Sequence, residues 1–93
     1  MYSKLEKIFN HYGYSHQQKK IIEECSELIR AIIRNDDENF IEEMADISVL
    51  TDQFLNHFPK YKEKFEKIKQ EKIDRQIERI KNKGLNNENV FTL

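Results

Sequence analysis

Two pairs of carboxylates in this chain of 93 residues are spaced so that both members of a pair lie on one face of a helix. Glu24 and Glu27 form the first pair, and Glu43 and Asp46 form the second. Side chains three residues apart are neighbours on an α-helix. Either pair alone is a weak signal, since many helix surfaces carry acids at this spacing. Two such pairs on consecutive helices predict a shared acidic site.

Glu43 is the hardest of the four to explain as a surface residue. On a helical wheel, Leu50, Ile47 and Phe54 lie within about 40° of it, so it occupies the middle of an apolar face. A buried carboxylate without a partner is costly or takes up a proton. Four carboxylates that converge would repel one another unless a cation neutralises them. The pattern therefore indicates a metal site formed by these four acids.

Magnesium is the predicted metal, with Mn²⁺ as a substitute. Carboxylate oxygens suit hard cations, and Mg²⁺ usually combines a few of them with water and substrate phosphates. The di-iron carboxylate bundles need a Glu-x-x-His pair, which this sequence lacks near the four acids. The alternative to a metal is structural: salt bridges from Lys20, Arg30 or the basic residues of the last helix could neutralise the carboxylates.

The elements that must position these acids are predicted to be helices. The chain has only 2 glycines and 1 proline, and 35% of its residues are charged, which suits amphipathic helices better than a sheet. The predicted fold is all-α, an antiparallel bundle of about four helices completed by oligomerisation. A single domain is expected over residues 1–84, with a C-terminal tail over 85–93. So short a chain buries a modest core, which favours a homodimer or homotetramer.

Capping residues and apolar spacing predict the helix bounds. The first helix runs from about Lys4 to His11 before Gly13, and the second runs from an N-cap at Ser15 to about Arg34. The third is capped by Asn35 with Glu38 or by Asp36 alone and reaches about His57, and the fourth runs from Pro59 to a stop at Gly84. The second helix is expected to face the core with Ile21, Ile22, Cys25, Leu28, Ile29, Ile32 and Ile33. Its polar edge carries Gln17, Lys20, Glu24 and Glu27. The fourth helix is expected to pack through a similar apolar stripe.

The net charge of −1 conceals an uneven distribution. Residues 1–59 carry 6 basic and 11 acidic side chains, whereas residues 60–83 carry 10 basic and 5 acidic ones. The acidic part can collect a divalent cation while the basic helix faces an anion, although such charges also simply keep helices solvated. Because acids interrupt the basic helix, no nucleic acid partner is predicted. The sequence shows neither a bilayer-spanning stretch nor a signal peptide, so a cytoplasmic protein without a membrane partner is expected.

Three segments resemble motifs of the MazG-type nucleotide pyrophosphohydrolases, over roughly residues 14–82. The run from Gln17 to Ala31, which contains Glu23-Glu24-Cys25-Ser26-Glu27, resembles the first motif. The segment Glu42-Glu43-Met44-Ala45-Asp46-Ile47 resembles the second motif. The run from Lys72 to Arg79 resembles the basic segment of many short members.

The resemblance implies Mg²⁺-dependent cleavage of a nucleoside or deoxynucleoside triphosphate into a monophosphate and pyrophosphate. It implies metal binding by Glu24, Glu27, Glu43 and Asp46, and substrate binding by Gln17, Lys20, Lys72 and Arg75. Glu27 or Glu23 is expected to activate the attacking water. The competing hypothesis is a non-catalytic dimeric module for interaction or regulation. That hypothesis explains neither the apolar surroundings of Glu43 nor the paired acids.

Overall fold

The computed structural model describes residues 3–83, which form four α-helices. They are α1 (Lys4–Tyr12), α2 (Tyr14–Ile33), α3 (Asp37–His57) and α4 (Pro59–Asn82). No strand occurs within these residues, so the all-α prediction is confirmed. The chain divides into two compact units, Met1–Tyr61 and Lys62–Leu93. The single domain over residues 1–84 stays a prediction, and the expected stop at Gly84 and the tail lie outside the described residues.

Helix α1 is bounded by Ser3 and Gly13. The Ser3 side chain accepts a hydrogen bond of 3.2 Å from a backbone N–H one turn later, which makes it an N-cap. Gly13 has a φ of 88°, which residues with a side chain rarely adopt, so α1 stops there. Helix α2 starts at once at Tyr14, and the Gly13 carbonyl accepts a bond of 3.0 Å from the Gln17 N–H. The predicted N-cap at Ser15 is therefore wrong, because the chain re-enters a helix directly after the glycine.

The turn between α2 and α3 has only three residues, Arg34 to Asp36. Asn35 has a φ of 55°, in the left-handed region that asparagine tolerates better than most residues. Asp36 accepts a hydrogen bond of 3.2 Å from the backbone N–H of Asn39 and caps α3. Two caps were predicted, Asn35 with Glu38 or Asp36 by itself, and the second is confirmed. So short a turn makes α2 and α3 antiparallel neighbours.

Contacts along α2 and α3 follow this antiparallel arrangement. Far from the turn, Gln17 of α2 donates a hydrogen bond of 2.8 Å to Gln53 of α3. Nearer the turn, the carboxylates of Glu27 and Glu43 approach each other. The two helices therefore face each other from end to end, and polar side chains meet at both places.

Helix α1 packs chiefly on the C-terminal end of α3. The buried ring of Phe9 lies edge-on to Phe54, with 5.2 Å between ring centroids, and stacks on the imidazole of His57 at 4.3 Å. Glu6 contacts the Nδ1 of His57 at 2.9 Å and accepts a hydrogen bond of 3.0 Å from Asn56. These aromatic and polar contacts fix the end of α3 that lies away from the turn.

The predicted apolar face of α2 is only partly covered: Ile21, Cys25 and Leu28 are half-buried, whereas Ile22, Ile29, Ile32 and Ile33 are exposed. The buried residues of α2 are Gln17, Glu24 and Ala31, which are spaced by two helical turns and so form one line. The predicted polar edge therefore faces α3. On the opposite side lies the isoleucine face, which consists of Ile22, Ile29 and Ile33. These three side chains are 58% to 74% exposed. The hydropathy pattern identifies an apolar face on α2, but it does not show whether α3 or another chain packs against that face.

Most of α4 belongs to the second unit and is amphipathic. Pro59 begins this helix as predicted, where its missing N–H costs nothing. No residue of α4 is buried. The packing expected of its apolar stripe is therefore not formed within this unit, and Phe65, Ile68, Ile73, Ile77 and Ile80 are 38% to 65% exposed. Among the helices of residues 3–83, none has the length and apolar character to cross a membrane.

Candidate metal centre and active site

Helices α2 and α3 bring three of the four predicted carboxylates together. Glu24 and Glu27 come from α2 and Glu43 comes from α3, and one oxygen of each lies within 4.8 Å of the others. Glu24 is buried, with 5% of its surface exposed, while Glu27 and Glu43 are half-buried. The spacing of three residues places Glu24 and Glu27 on the side of α2 that meets α3. These three residues are the carboxylate cluster.

Two oxygen atoms of the carboxylate cluster are buried without a hydrogen-bond partner among residues 3–61. They are the Oε2 of Glu24 and the Oε2 of Glu43. Lys20 lies 3.5 Å from the other oxygen of Glu24, but it is closer to Glu23, at 3.2 Å. Hydrogen bonding to Glu23 and the charge of that residue raise the pKa of Lys20. One shared ammonium group does not neutralise three carboxylates, so salt bridging accounts for only part of the cluster.

The neighbouring acids of the cluster raise the pKa of Glu43. Hydrogen bonding to Glu24, burial, and the negative charges of Glu24 and Glu27 raise the pKa of Glu43 from 4.5 to about 7. A carboxyl group with this pKa is partly protonated near neutral pH. Because metal ligands must be deprotonated, a cation that binds here competes with that proton.

The donor set of the carboxylate cluster fits Mg²⁺. All its ligand atoms are carboxylate oxygens, which hard cations prefer, and Mn²⁺ accepts the same ligands. The buried Oε2 atoms of Glu24 and Glu43 provide coordination sites that no other group of residues 3–61 uses. Protein ligands of this number leave positions on Mg²⁺ for water and substrate phosphates. The donor set therefore fits a hard divalent cation and would leave some of its coordination positions open.

Three predicted site residues lie outside the carboxylate cluster. Asp46 is exposed on α3, about 60° around the helix from Glu43, and its role as a fourth metal ligand stays a prediction. Lys72 and Arg75 are exposed on α4, in the second unit. Their role in substrate binding also stays a prediction.

Gln17 has well-defined partners within the fold. It is 3% exposed, donates from Nε2 to Gln53 at 2.8 Å, and its Oε1 lies 2.8 Å from the Nδ1 of His16. The bond to Gln53 joins α2 to α3, so Gln17 has a structural role whether or not it binds substrate. Lys20 lies between Gln17 and Glu24 on the same strip of α2 and is partly exposed. For both Gln17 and Lys20, substrate binding stays a prediction.

A cavity of about 230 Å³ adjoins the carboxylate cluster at the end of α2 and the start of α3. It is lined by Glu27, Arg30, Ala31, Arg34, Asp36, Asn39 and Glu43. The two arginines were not among the residues predicted to bind substrate. Arg30 follows Glu27 by three residues and Arg34, the C-cap of α2, follows Arg30 by four, and these steps keep the three side chains on one side of the helix. That spacing is the sequence signal that could have identified them.

The described helices form an all-α fold that holds an oxygen-only carboxylate cluster between α2 and α3. The family model for phosphoribosyl-ATP pyrophosphohydrolase matches residues 2–70, which is most of the chain. This protein therefore belongs to that family, which is related to the MazG-like all-α NTP pyrophosphatase superfamily, and the predicted resemblance is confirmed. No curated protein and no solved structure gives a significant match.

Family membership defines the enzyme class as a hydrolase that acts on phosphoanhydride bonds. The matched residues include the whole carboxylate cluster and the cavity beside it. Lys72 and Arg75 lie beyond the matched range. The matched range therefore covers the two helices that carry the carboxylate cluster and ends before the two residues on α4.

Proposed function

We propose that this protein is a Mg²⁺-dependent pyrophosphohydrolase that cleaves a nucleoside triphosphate between the α- and β-phosphates. The products would be a nucleoside monophosphate and pyrophosphate. The observation that carries the proposal is the carboxylate cluster with its two buried, unpartnered oxygens. Family membership supports hydrolysis of a phosphoanhydride bond.

In this proposal Glu24, Glu27 and Glu43 hold the metal, with Asp46 as a fourth ligand. A bound Mg²⁺ supplies positive charge that offsets the charge on the phosphate oxygens. The buried carboxylate of Glu24 binds most rigidly, because packing between α2 and α3 restricts its side chain. Lys20 adds a positive charge at the edge of the cluster, where it can contact a phosphate after releasing Glu24.

A carboxylate must also orient the attacking water and accept its proton. Glu27 supports this role best, because it belongs to the carboxylate cluster and also lines the adjoining cavity. Glu23 is the other candidate, but it is exposed and paired with Lys20 at 3.2 Å. In the reaction the water oxygen bonds to the α-phosphorus, and the bond from that phosphorus to the bridging oxygen breaks.

We also propose that the protein acts as a homodimer or homotetramer. The isoleucine face of α2 is exposed and lies opposite the side that packs on α3. A contiguous apolar face of this kind is typical of a surface that another chain covers. Association would bury it without disturbing the carboxylate cluster, which faces α3.

The proposal is tested by incubating the protein with Mg²⁺ and a panel of nucleoside and deoxynucleoside triphosphates, then separating the products. Monophosphate and pyrophosphate are expected, with no turnover when the metal is chelated. Phosphoribosyl-ATP belongs in the panel because the matched family is described by that compound. Preferential cleavage of phosphoribosyl-ATP would make it the substrate instead.

The remaining outcomes contradict the proposal. Diphosphate and orthophosphate as products would mean attack at the γ-phosphorus and a different reaction. No product from any compound, from protein that is folded by circular dichroism, would favour the alternative of a non-catalytic interaction module. Glu42→Gln is a suitable control for each assay, because Glu42 is exposed and lies outside the carboxylate cluster.

A further inference from the structure

The cavity beside the carboxylate cluster contains two arginines whose charges are not paired. Within residues 3–61, neither Arg30 nor Arg34 forms a salt bridge, although three carboxylates line the same cavity. The Asp36 carboxylate is engaged by Asn39, through the backbone N–H at 3.2 Å and the side-chain amide at 2.6 Å. Its hydrogen bonds therefore cap α3 rather than neutralise a guanidinium. Two cations at the wall of a polar cavity are available to an anionic ligand.

The size and the lining residues of the cavity indicate which kind of anion it can bind. Its volume of about 230 Å³ is below the roughly 300–1,000 Å³ of pockets that enclose whole ligands, so it suits one part of a nucleotide. Ala31 is the one apolar residue of the lining, and none of the lining residues is aromatic, so nothing there would stack on a base. A guanidinium group presents a planar fork of N–H donors that matches two oxygens of a phosphate. The wall therefore has donors that fit a phosphate group.

We propose that Arg30 and Arg34 form an anion subsite for the pyrophosphate half of the substrate, the β- and γ-phosphates. This inference rests on the proposed function and places the leaving group, pyrophosphate, in the cavity beside the carboxylate cluster. Glu27 and Glu43 belong to both the carboxylate cluster and the cavity lining, so an anion in the cavity adjoins the metal centre. These two acids and Asp36, which lines the same cavity, also repel an anion. Pyrophosphate binding therefore needs both the arginines and a divalent cation.

The subsite contributes to the reaction by stabilising the charge of the leaving group. As the bond between the α-phosphorus and the bridging oxygen breaks, its electron pair stays on pyrophosphate. The guanidinium groups of Arg30 and Arg34 can donate hydrogen bonds to the β- and γ-oxygens as that charge develops. The proton of the attacking water passes to a carboxylate, for which Glu27 is the best candidate, and then to solvent. The nucleoside monophosphate half makes no contact with this subsite.

The subsite can be tested by calorimetric titration of pyrophosphate, with Mg²⁺ present, into the wild type and the double variant R30Q/R34Q. Loss of the hydrogen bonds between charged groups should weaken binding at least about tenfold. The control variant K4Q/K7Q removes two exposed positive charges from α1, which does not line the cavity, and should bind as the wild type does. The variant R30K/R34K keeps the charge but loses the fork, so its affinity should lie between the two.

Each result bears on the subsite separately from the proposed function. Equal pyrophosphate affinity in the wild type and in R30Q/R34Q overturns the subsite even if triphosphates are hydrolysed normally. Arginine-dependent binding of pyrophosphate without hydrolysis of any triphosphate keeps the subsite and overturns the proposed function. Nucleoside monophosphate provides a second probe, and an equal loss of its affinity in R30Q/R34Q would contradict the assignment to the pyrophosphate half. Both arginines are exposed, so the variants should fold, which circular dichroism checks.

Discussion

Glu43 combines two properties that are usually incompatible, an ionisable side chain and a buried oxygen without a partner. The substitution Glu43→Gln keeps the shape and removes the charge. We expect it to abolish turnover and the stabilisation by Mg²⁺, because the metal loses a ligand. Without metal, the variant should be as stable as the wild type or more stable, since repulsion from Glu24 and Glu27 is relieved.

Thermal melts with Mg²⁺ and with a chelator provide the measurement. Glu42→Gln is the matched control, because it makes the same change at the adjacent, exposed position. A metal-free Glu43→Gln protein that melts well below the wild type would mean that the Glu43 charge stabilises the fold.

The raised pKa of Glu43 also makes metal-free stability depend on pH. Between pH 4.5 and about 7 the folded state holds a proton on Glu43 that the unfolded state has lost. The free energy of unfolding should therefore fall as pH rises through this range and stop falling above it. Mg²⁺ affinity should change in the opposite direction and increase up to about pH 7, because the proton competes with the cation.

The contribution of Glu43 is measured as the difference in urea unfolding between the wild type and Glu43→Gln, with a chelator, at several pH values. The glutamine variant should gain stability relative to the wild type as pH rises, since it resembles the protonated form. A difference that does not vary between pH 4.5 and 8 would contradict the raised pKa.

At the residue scale, the three acids of the carboxylate cluster could be predicted from the sequence for a simple geometric reason. The spacing of Glu24 and Glu27, and the apolar neighbours of Glu43, follow from helix periodicity alone. Asp46 has the same spacing but is exposed. Spacing places two residues on one side of a helix, but the rotation of that helix about its axis decides which of them meets the neighbouring helix. Arg30 was predicted only as a possible salt-bridge partner of the acids, and its place in a cavity was missed because a cavity arises only when two helices are packed together.

At the scale of elements, the buried amide pair is what joins α2 to α3 far from their turn. Gln17→Leu or Gln53→Leu alone should destabilise the protein by about 1–3 kcal/mol, because the remaining amide loses its partner in a buried place. The double variant should recover much of this loss, since no unpaired amide remains between the helices. Urea unfolding of the four proteins gives the coupling energy.

The same cycle decides the role of Gln17. A structural role predicts strong coupling in stability and little change in substrate affinity for the double variant. Full stability of both single variants together with weakened substrate binding would contradict the structural role and support the predicted contact with substrate.

The bounds of the helices could be predicted closely, whereas the orientation of α2 could not. Gly13, Asp36 and Pro59 mark the ends of elements through their own backbone chemistry, which is local. The side of α2 that faces α3 depends on which of its two faces packs better against α3, and this is not a local property of the sequence. The line that contains Gln17 and Glu24 faces α3, although the isoleucine face is more apolar.

At the scale of the whole molecule, the isoleucine face has its simplest explanation in association. Ile29→Lys should shift the protein toward the monomer, because a charge in the middle of that face would have to be buried on association. Light scattering coupled to size exclusion, over a range of concentrations, measures the mass. Ile8→Lys makes the same change on α1 and should leave the mass unaltered. A wild type that is monomeric at all concentrations would contradict the proposed oligomer.

The three-residue turn between α2 and α3 has a consequence for the order of events during folding. The carboxylate cluster comes entirely from two consecutive helices, so its assembly requires little loop closure and can precede the rest of the native structure. A cation that binds the cluster should then speed refolding as well as slow unfolding, since its ligands already meet in the transition state. Stopped-flow refolding with and without Mg²⁺ tests this, with Glu43→Gln as the unresponsive control. An effect on unfolding alone would mean that the cluster forms last.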